Sequence, residues 1–274
     1  MLPKGSPVPV FSSSALRSSV VTRLRAAGCV FAEDEARILL ASAATPADLA
    51  AMVRARAEGR PLEHVVGWAE FAGLRIAVDP GVFVPRRRSE FLAATAAGLT
   101  APGAVVLDLC CGSGALGAAV AAGAGHPVEL YAADLDPAAV RCARRNLAPA
   151  GARVFAGDLF AALPAAELRG RVDVLIANVP YVPTGDVALL PPEARLYEAL
   201  PALDGGSDGL DVLRRVAAEA PGWLAPGGSL LFETSERQLA TALAVVRAAG
   251  LVAEAHEDEE LDATVVTARL TTAG

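Results

Sequence analysis

The sequence lacks a long apolar segment. No apolar run of about 18 residues, the length that a membrane-spanning helix needs, occurs in its 274 residues. The first residues, 1–7, are interrupted by proline and glycine, and no apolar stretch with a small-residue cleavage site follows them, as an export signal would require. These absences predict a protein that works in the cytoplasm without contact with a membrane.

Cysteine is scarce, and basic residues are fewer than acidic ones. The four cysteines are Cys29, Cys110, Cys111 and Cys142. They contain no Cys-x-x-Cys pair, and the two adjacent ones are badly placed for a disulfide or a metal site, so we expect small buried side chains and no metal. The net charge of −7 leaves no overall basic field for a nucleic-acid backbone. A protein or a small molecule is the expected partner.

Hydrophobic spacing divides the chain into three parts. Residues 1–64 are rich in alanine and leucine with apolar residues at helical spacing, which predicts a small helical domain. Residues 65–90 contain short apolar stretches that are broken by Gly73 and by Asp-Pro-Gly at 79–81, a turn signal between two short strands, which predicts a β-hairpin linker with its turn at 79–81. In residues 91–274, short apolar strands alternate with alanine-rich helical stretches, the pattern of a parallel sheet covered by helices.

The third part predicts a seven-stranded mixed sheet. The five parallel strands are expected at residues 104–109, 129–134, 153–157, 172–178 and 229–233. Two further strands, near 251–255 and 264–270, are separated only by an acidic stretch with no room for a helix, so they are expected to form an antiparallel pair. The fold class is therefore α/β and Rossmann-like.

A glycine-rich turn follows the first of these strands. The strand ends in Asp108, and the turn carries Gly112, Gly114 and Gly117 in a spacing that lets backbone approach a ligand closely. Asp134 follows at the distance expected of a residue that holds a ribose. The motif alone is weak evidence, because such glycines also serve helix–strand packing.

Polar residues end the first four strands of the sheet. They are Asp108, Asp134, Asp158 and Asn178. Any one of them could simply cap a helix, but the carboxyl ends of parallel strands line the ligand crevice of an open sheet. Four polar strand ends together predict a binding site at that edge.

The segment Asn178-Val179-Pro180-Tyr181 indicates what is bound there. The side-chain oxygen of the asparagine and a neighbouring backbone carbonyl can accept both N–H bonds of a planar amide or amino group, while the tyrosine packs on its flat face. This segment stands where a nicotinamide enzyme would continue its second nucleotide half, so it argues against an oxidoreductase. In a purely structural reading, Pro180 ends the strand and Tyr181 fills the core.

Further motifs extend from about residue 59 to the end of the chain. They are Gly59-Arg60-Pro61-Leu62, Glu70-Phe71-x-Gly73-Leu74, Val84-Pro85-Arg86, Asp108-x-x-x-Gly112-Ser113-Gly114-Ala115, Gly157-Asp158-Leu159-Phe160, Asn178-x-Pro180-Tyr181, Tyr197-Glu198 and Asp204-Gly205-Gly206-x-Asp208-Gly209-Leu210. In this order they resemble the release-factor glutamine N(5)-methyltransferase family, the HemK/PrmC type. The resemblance implies a class I methyltransferase domain preceded by a helical substrate-recognition domain.

The resemblance also implies the reaction. The methyl donor would be S-adenosyl-L-methionine, the product S-adenosyl-L-homocysteine, and the acceptor a glutamine side-chain amide in the Gly-Gly-Gln loop of a peptide chain release factor. By the same resemblance, Asn178 and the carbonyl of Val179 would hold that amide, with Pro180 and Tyr181 completing the acceptor site.

The cofactor residues follow from the resemblance as well. Asp134 would bind the ribose hydroxyls and Asp158 the adenine amino group, while Gly112 and Gly114 would pass beneath the methionine portion. The remaining residues expected at the cofactor are Asp108, Cys110, Leu135, Leu159 and Asn178.

Three parts of the sequence depart from the family pattern. Val179 stands where the family has proline, Cys110 stands where it has glycine, and residues 85–90 read Pro-Arg-Arg-Arg-Ser-Glu where it has Pro-Arg-Pro-Glu-Thr-Glu. Valine keeps the acceptor carbonyl but not the fixed φ of proline. The alternatives are therefore a paralogue acting on another protein or peptide, a nucleic-acid adenine N6-methyltransferase, and a non-catalytic paralogue that binds the methyl donor.

Overall fold

The computed structural model describes residues 13–271, so residues 1–7, on which the prediction of no export signal rests, lie outside the described residues. The first elements are all helices: α1 (Ser14–Ala26), α2 (Ala32–Ser42), α3 (Pro46–Ala57) and the short α4 (Leu62–Val66). They enclose their own apolar cluster, which includes Leu24 and Leu39. Thr45 caps α3 by accepting the N–H of Asp48, with proline at the first helical position. The boundary at residue 64 stays a prediction, and α4 crosses it.

An antiparallel hairpin follows, formed by β1 (Trp68–Phe71) and β2 (Leu74–Ala77). Its turn lies at Ala72 and Gly73, so the turn predicted at 79–81 is wrong as the hairpin turn. The stretch after residue 81 does not pair as a strand, because its backbone is held by another partner. The N–H of Val84 donates to the buried carboxylate of Glu198 at 3.3 Å.

The remaining strands form one seven-stranded sheet. They are β3 (Val105–Leu109), β4 (Glu129–Asp134), β5 (Arg153–Ala156), β6 (Val172–Ala177), β7 (Leu224–Thr234), β8 (Leu251–Asp258) and β9 (Ala263–Leu270). Their order is β5-β4-β3-β6-β7-β9-β8, with β9 antiparallel to both neighbours and the other pairs parallel. The predicted Rossmann-like mixed sheet is confirmed.

Helices cover both faces of this sheet. They are α5 (Ser89–Gly98), α6 (Ala115–Gly123), α7 (Pro137–Leu147), α8 (Ala165–Leu168), α9 (Pro192–Tyr197), α10 (Asp211–Glu219) and α11 (Glu236–Ala248). Apolar residues of α5, α6 and α7 pack on one face, and those of α10 and α11 pack on the other. Every residue of β3 is buried, as expected of a strand covered on both faces. No helix within residues 13–271 has the length and apolarity that a membrane span needs.

A buried arginine joins the amino-terminal helices to the sheet domain. Arg56 of α3 binds Glu35 of α2 at 2.6 Å and Glu193 of α9 at 2.7 Å, and its side chain is almost fully covered. The hydroxyl of Tyr197 donates to the carbonyl of Glu58 at 3.4 Å. A buried guanidinium needs such partners because an uncompensated charge is costly to desolvate. The contacts therefore fix α9, which borders the site described next.

Candidate active site

A cavity of about 710 Å³ opens at the carboxyl ends of β3, β4 and β6. The strand order changes direction here, because β3 has β4 on one side and β6 on the other. Open parallel sheets bind their ligands at such a point. Besides the strand ends, the walls include residues from the segments 81–89 and 190–203, from the turn after β3 and from α10.

Most of the predicted site residues meet in this cavity. Its walls contain Cys110, Gly112, Asp134, Leu135, Asp158, Leu159, Asn178, Val179, Pro180 and Tyr181. Two other predicted residues, Asp108 and Gly114, lie behind the wall. A methyl group on Gly114 would come within 2.9 Å of the Leu147 side chain, and its φ is +80°. In the structure Gly114 therefore serves close packing of the turn on α7, and its contact with the cofactor stays a prediction.

The turn between β3 and α6 is held by carboxylates. Gly112, with φ +54°, donates its N–H to Asp134 Oδ2 at 2.8 Å. Cys110 has φ +55°, a left-handed conformation that costs a side-chain-bearing residue about 1 kcal/mol. Its thiol lies in the cavity wall, where burial raises its pKa above the ordinary range. The thiol is therefore protonated and packs as a small apolar group.

Asp108 supports the turn from below. Its carboxylate is fully buried and accepts the N–H of Gly117 at 2.9 Å through Oδ2, while Oδ1 has no hydrogen-bond partner among the described residues. Burial raises the pKa of this carboxyl to about 7, against the lowering effect of the Gly117 N–H. The charge is therefore disfavoured in the native state relative to the unfolded chain.

The raised pKa of Asp108 predicts a pH-dependent stability. Between about pH 4 and 7 the native state keeps a proton that the unfolded chain releases, so this group lowers the unfolding free energy by at most about 1.4 kcal/mol per pH unit as pH rises. Asp108→Asn should remove that slope, as measured by urea unfolding at several pH values. The variant should gain stability relative to the parent from pH 4 to 7. Parallel pH profiles of the two proteins would contradict the assignment.

Asp134 is fixed at the rim of the cavity. Its Oδ2 accepts the N–H of Gly112, and its Oδ1 accepts the N–H of Asp136, both at 2.8 Å. Burial raises the pKa of this carboxyl, while the backbone N–H donors lower it. A carboxylate oxygen can accept further hydrogen bonds, so both remain able to receive the hydroxyls of a ribose. The exposed Leu135 lies beside it in the cavity wall.

Asp158 has a partner that the sequence analysis missed. Arg215, on α10, donates to its Oδ2 at 2.6 Å, and about half of each side chain is exposed. Both residues line the cavity. The ion pair holds one carboxylate oxygen and leaves the other for a ligand amino group. The next residue, Leu159, is buried with φ +46°, so the chain turns sharply after Asp158.

The acceptor segment follows β6, which lies across β3 from β4 and β5 in the sheet. The Asn178 side-chain nitrogen lies 3.4 Å from Ser89 Oγ, while its Oδ1 is buried with no hydrogen-bond partner in the part of the chain that the structure describes. Val179 is buried as well. An unpartnered buried amide oxygen is costly unless a ligand supplies the donor. The site therefore offers an acceptor to an incoming N–H group.

Gly205 holds this segment in place. A methyl group on it would lie 2.5 Å from the carbonyl oxygen of Pro180 and 2.8 Å from Tyr181 Cα. The N–H of Gly205 donates to the carbonyl of Val182 at 2.8 Å. Backbone therefore passes against backbone here, and only glycine allows the approach.

Gly205→Ala should shift the acceptor segment. We expect a loss of about 1 to 3 kcal/mol in unfolding free energy from overpacking, together with reduced turnover. Gly185→Ala is the matched control, because a methyl group there meets nothing within 4 Å. Thermal unfolding and initial rates of both variants test the prediction. Equal stability of the two variants would show that the close contact is not needed.

Tyr181 is anchored at the far end of the segment. Its hydroxyl donates to Glu233 Oε1 at 3.0 Å and is also bonded to the guanidinium of Arg88. Burial, and then the charge of Glu233, raise the pKa of this phenol. Arg88 also binds Glu233 directly at 2.6 Å. Arg88, which belongs to the basic run at residues 86–88, therefore reaches a buried carboxylate.

Comparison with known proteins identifies the family. The model of a family described as "Methyltransferase small domain" matches residues 73–194. The "Release factor glutamine methyltransferase" of Geobacter sulfurreducens is 39% identical over 210 residues, which cover 75% of this chain and 72% of that protein. The chain belongs to the release factor glutamine methyltransferase family. Membership confirms the predicted family, the methyltransferase activity and S-adenosyl-L-methionine as the methyl donor.

This release factor glutamine methyltransferase is also similar to a methyltransferase named for a different acceptor and to a methyltransferase of known structure. A "4-amino-L-phenylalanine/4-methylamino-L-phenylalanine methyltransferase" of Streptomyces pristinaespiralis is 38% identical over 207 residues, covering 72% of this chain and 69% of that protein. The crystal structure of a methyltransferase from Pyrococcus furiosus matches with a TM-score of 0.55 at 18% identity, over 73% of this chain and 90% of that one. The latter supports the class I methyltransferase fold.

The site residues of this methyltransferase that sequence reasoning missed are Arg88, Ser89, Glu233 and Arg215. Glu233 was predicted as the end of the fifth strand, and the argument applied to the first four polar strand ends would have included it. Arg215 lies on a helix with no motif that marks it. The cofactor and acceptor roles of the predicted residues stay predictions.

Proposed function

We propose that this enzyme transfers a methyl group from S-adenosyl-L-methionine to the side-chain amide nitrogen of a glutamine in the Gly-Gly-Gln loop of a peptide chain release factor. The observation that carries the proposal is the buried, unpartnered Oδ1 of Asn178 in the wall of the cavity. Together with the backbone carbonyl of Val179, it can accept both hydrogens of a carboxamide. The names of the relatives support the glutamine acceptor.

The residues of the cavity fit the methyl donor. Asp134 and Asp158 offer carboxylate oxygens at neighbouring strand ends, where a ribose and an adenine amino group would be held. Gly112 brings backbone to the same wall, and a methyl group there would meet nothing within 4 Å, so there is open space beside it. When bound, S-adenosyl-L-methionine supplies a methyl group that is attached to a sulfonium. The sulfur leaves as a neutral thioether, so the leaving group needs no metal for activation.

The acceptor residues compensate for a poor nucleophile. An amide nitrogen develops positive charge as it attacks a methyl group, and oriented carbonyl oxygens on its hydrogens stabilise that charge. The methylated nitrogen then loses one of its two hydrogens as a proton to water, which leaves a neutral amide. Asn178 and Val179 would also hold the nitrogen in line with the methyl group, and such positioning supplies much of the acceleration in a displacement reaction. Tyr181 closes the site on one side through its bonds to Arg88 and Glu233.

A second candidate acceptor is an aromatic amine. One relative is named for 4-amino-L-phenylalanine, and its identity to this chain matches that of the release factor enzymes. An exocyclic amine on a flat ring offers two N–H groups, as a carboxamide does. Val179 and Arg88, which depart from the release factor family pattern, lie in the cavity wall. They motivate a direct comparison of the two acceptors.

The proposed function includes a docking site for the release factor and a cellular compartment. The domain predicted at residues 1–64 would dock the release factor, and Arg56 holds its helix α3 against α9 at the edge of the cavity. We propose that the enzyme works in the cytoplasm, without direct contact with nucleic acid and without a metal.

Mass spectrometry of release factors tests the proposed function. Bacterial release factors are incubated with the full chain and S-adenosyl-L-methionine, with 4-amino-L-phenylalanine in a parallel reaction. We expect one added methyl group on the Gly-Gly-Gln peptide, and none when its glutamine is replaced by alanine. Methylation of the aromatic amine without modification of either release factor would instead establish the second candidate.

A further inference from the structure

Glu233 lies at the centre of a buried hydrogen-bond network next to the acceptor segment. Its side chain is 3% exposed, and its Oε2 accepts the hydroxyl of Ser89 at 2.6 Å. Its Oε1 accepts Arg88 Nε at 2.6 Å and the hydroxyl of Tyr181 at 3.0 Å. The adjacent guanidinium compensates the charge that burial would otherwise penalise. Glu233 is thus a carboxylate that accepts from three donors.

This network decides which way the amide of Asn178 faces. An ionised carboxylate has no hydrogen to give, so the only hydroxyl hydrogen of Ser89 is committed to Glu233. Ser89 Oγ can then only accept from Asn178, and the group that faces it at 3.4 Å is the amide nitrogen. The reversed amide would set two oxygens against each other. Oδ1 is therefore turned away from Ser89, where it has no partner among the described residues.

We propose that Ser89 and Glu233 form a positioning relay that fixes the side chain of Asn178 with its oxygen toward the acceptor nitrogen. The proposal rests on the proposed function, in which Asn178 accepts an N–H of the substrate amide. Ser89 and Glu233 are positioning residues, because they act through Asn178. Without the relay the amide can turn over and present its own N–H groups to the substrate, an arrangement that cannot support transfer.

The relay joins three elements that are far apart in the chain. Ser89 begins α5, Glu233 lies near the end of β7, and Asn178 follows β6. Arg88 immediately precedes Ser89, so the bond of its guanidinium to Glu233 also holds the start of α5 at the acceptor site.

A double-mutant cycle on Ser89 and Asn178 tests the relay. Ser89→Ala should lower kcat about tenfold, the upper range for loss of one hydrogen bond, with little change in the affinity for S-adenosyl-L-methionine. Ser89→Thr should recover most of that loss. In an Asn178→Ala background, Ser89→Ala should have no further effect, because the residue it orients is gone. Ser229→Ala, at another buried serine on β7, controls for loss of a hydroxyl. An equal loss in both backgrounds would overturn the relay and leave Ser89 a structural role.

A second readout needs no acceptor. The side-chain amide signals of Asn178 in a ¹H–¹⁵N spectrum, assigned by their absence in Asn178→Ala, should move in Ser89→Ala and stay close to their original positions in Ser89→Thr. Signals that are unchanged in Ser89→Ala would overturn the relay even if turnover falls. If no glutamine substrate is methylated by the parent enzyme, the proposed function fails, and this spectrum still decides whether Ser89 orients Asn178.

Discussion

Asn178→Ala should lower the turnover of methyl transfer at least about a hundredfold, the effect expected when one oriented hydrogen-bonding group is removed from a developing charge. The side-chain oxygen of Asn178 is the acceptor that the buried site leaves open. In the proposed function, its loss removes both the positioning of the substrate nitrogen and the stabilisation of its charge. Initial rates with radiolabelled methyl donor measure the effect.

The affinity for S-adenosyl-L-methionine is the control for this variant. Asp134 and Asp158 are untouched, so the dissociation constant measured by calorimetry should stay close to that of the parent. Near-normal turnover in a folded Asn178→Ala protein would mean that the amide is held elsewhere. In that event the cavity would keep only its role as a site for the methyl donor.

Asp134→Ala should weaken S-adenosyl-L-methionine binding by about 1.5 to 3 kcal/mol, or roughly ten- to a hundredfold, the range for hydrogen bonds to a charged group. The carboxylate is already oriented by the N–H groups of Gly112 and Asp136, so a ribose hydroxyl would meet a preorganised acceptor. Calorimetric titration of the full chain measures the change.

Asp136→Asn is the matched control. It removes a charge two residues away but keeps a side-chain oxygen to accept the N–H of Ala138 at the start of α7. Its affinity should change far less than that of Asp134→Ala. If the two variants weaken binding equally, the effect is one of overall charge, and the assignment of Asp134 to the ribose is wrong.

The fold could be predicted from the sequence because its signals are local. Strands that are covered on both faces consist of short runs of apolar residues, and glycines mark the turn after β3. The hairpin turn lies at Ala72 and Gly73 and not at 79–81, and the reason is a contact between residues far apart in the sequence. Asp79-Pro80-Gly81 carries the stronger turn signal, but the segment after it bonds to Glu198, which lies more than a hundred residues further along.

The sequence predicts those residues of the candidate site that lie at or just after the carboxyl end of a strand. Asp134, Asp158 and Asn178 could be placed in one cavity because the carboxyl ends of parallel strands share an edge. Ser89 and Glu233 are 144 positions apart in the sequence. Glu233 lies near a strand end of the same edge, but nothing in the local sequence places Ser89 of α5 beside it, so the proposed relay required the structure.

The most direct test of the account is to locate the transferred methyl group on the acceptor atom. The full chain is supplied with S-adenosyl-L-methionine carrying a ¹³C methyl group and with a release factor whose glutamine side chains carry ¹⁵N. We expect a one-bond ¹³C–¹⁵N coupling at the glutamine of the Gly-Gly-Gln loop, and its signal should build up at least about a hundredfold more slowly with Asn178→Ala. A ¹³C methyl group on any other atom of the release factor, with no coupling to a glutamine nitrogen, would contradict it.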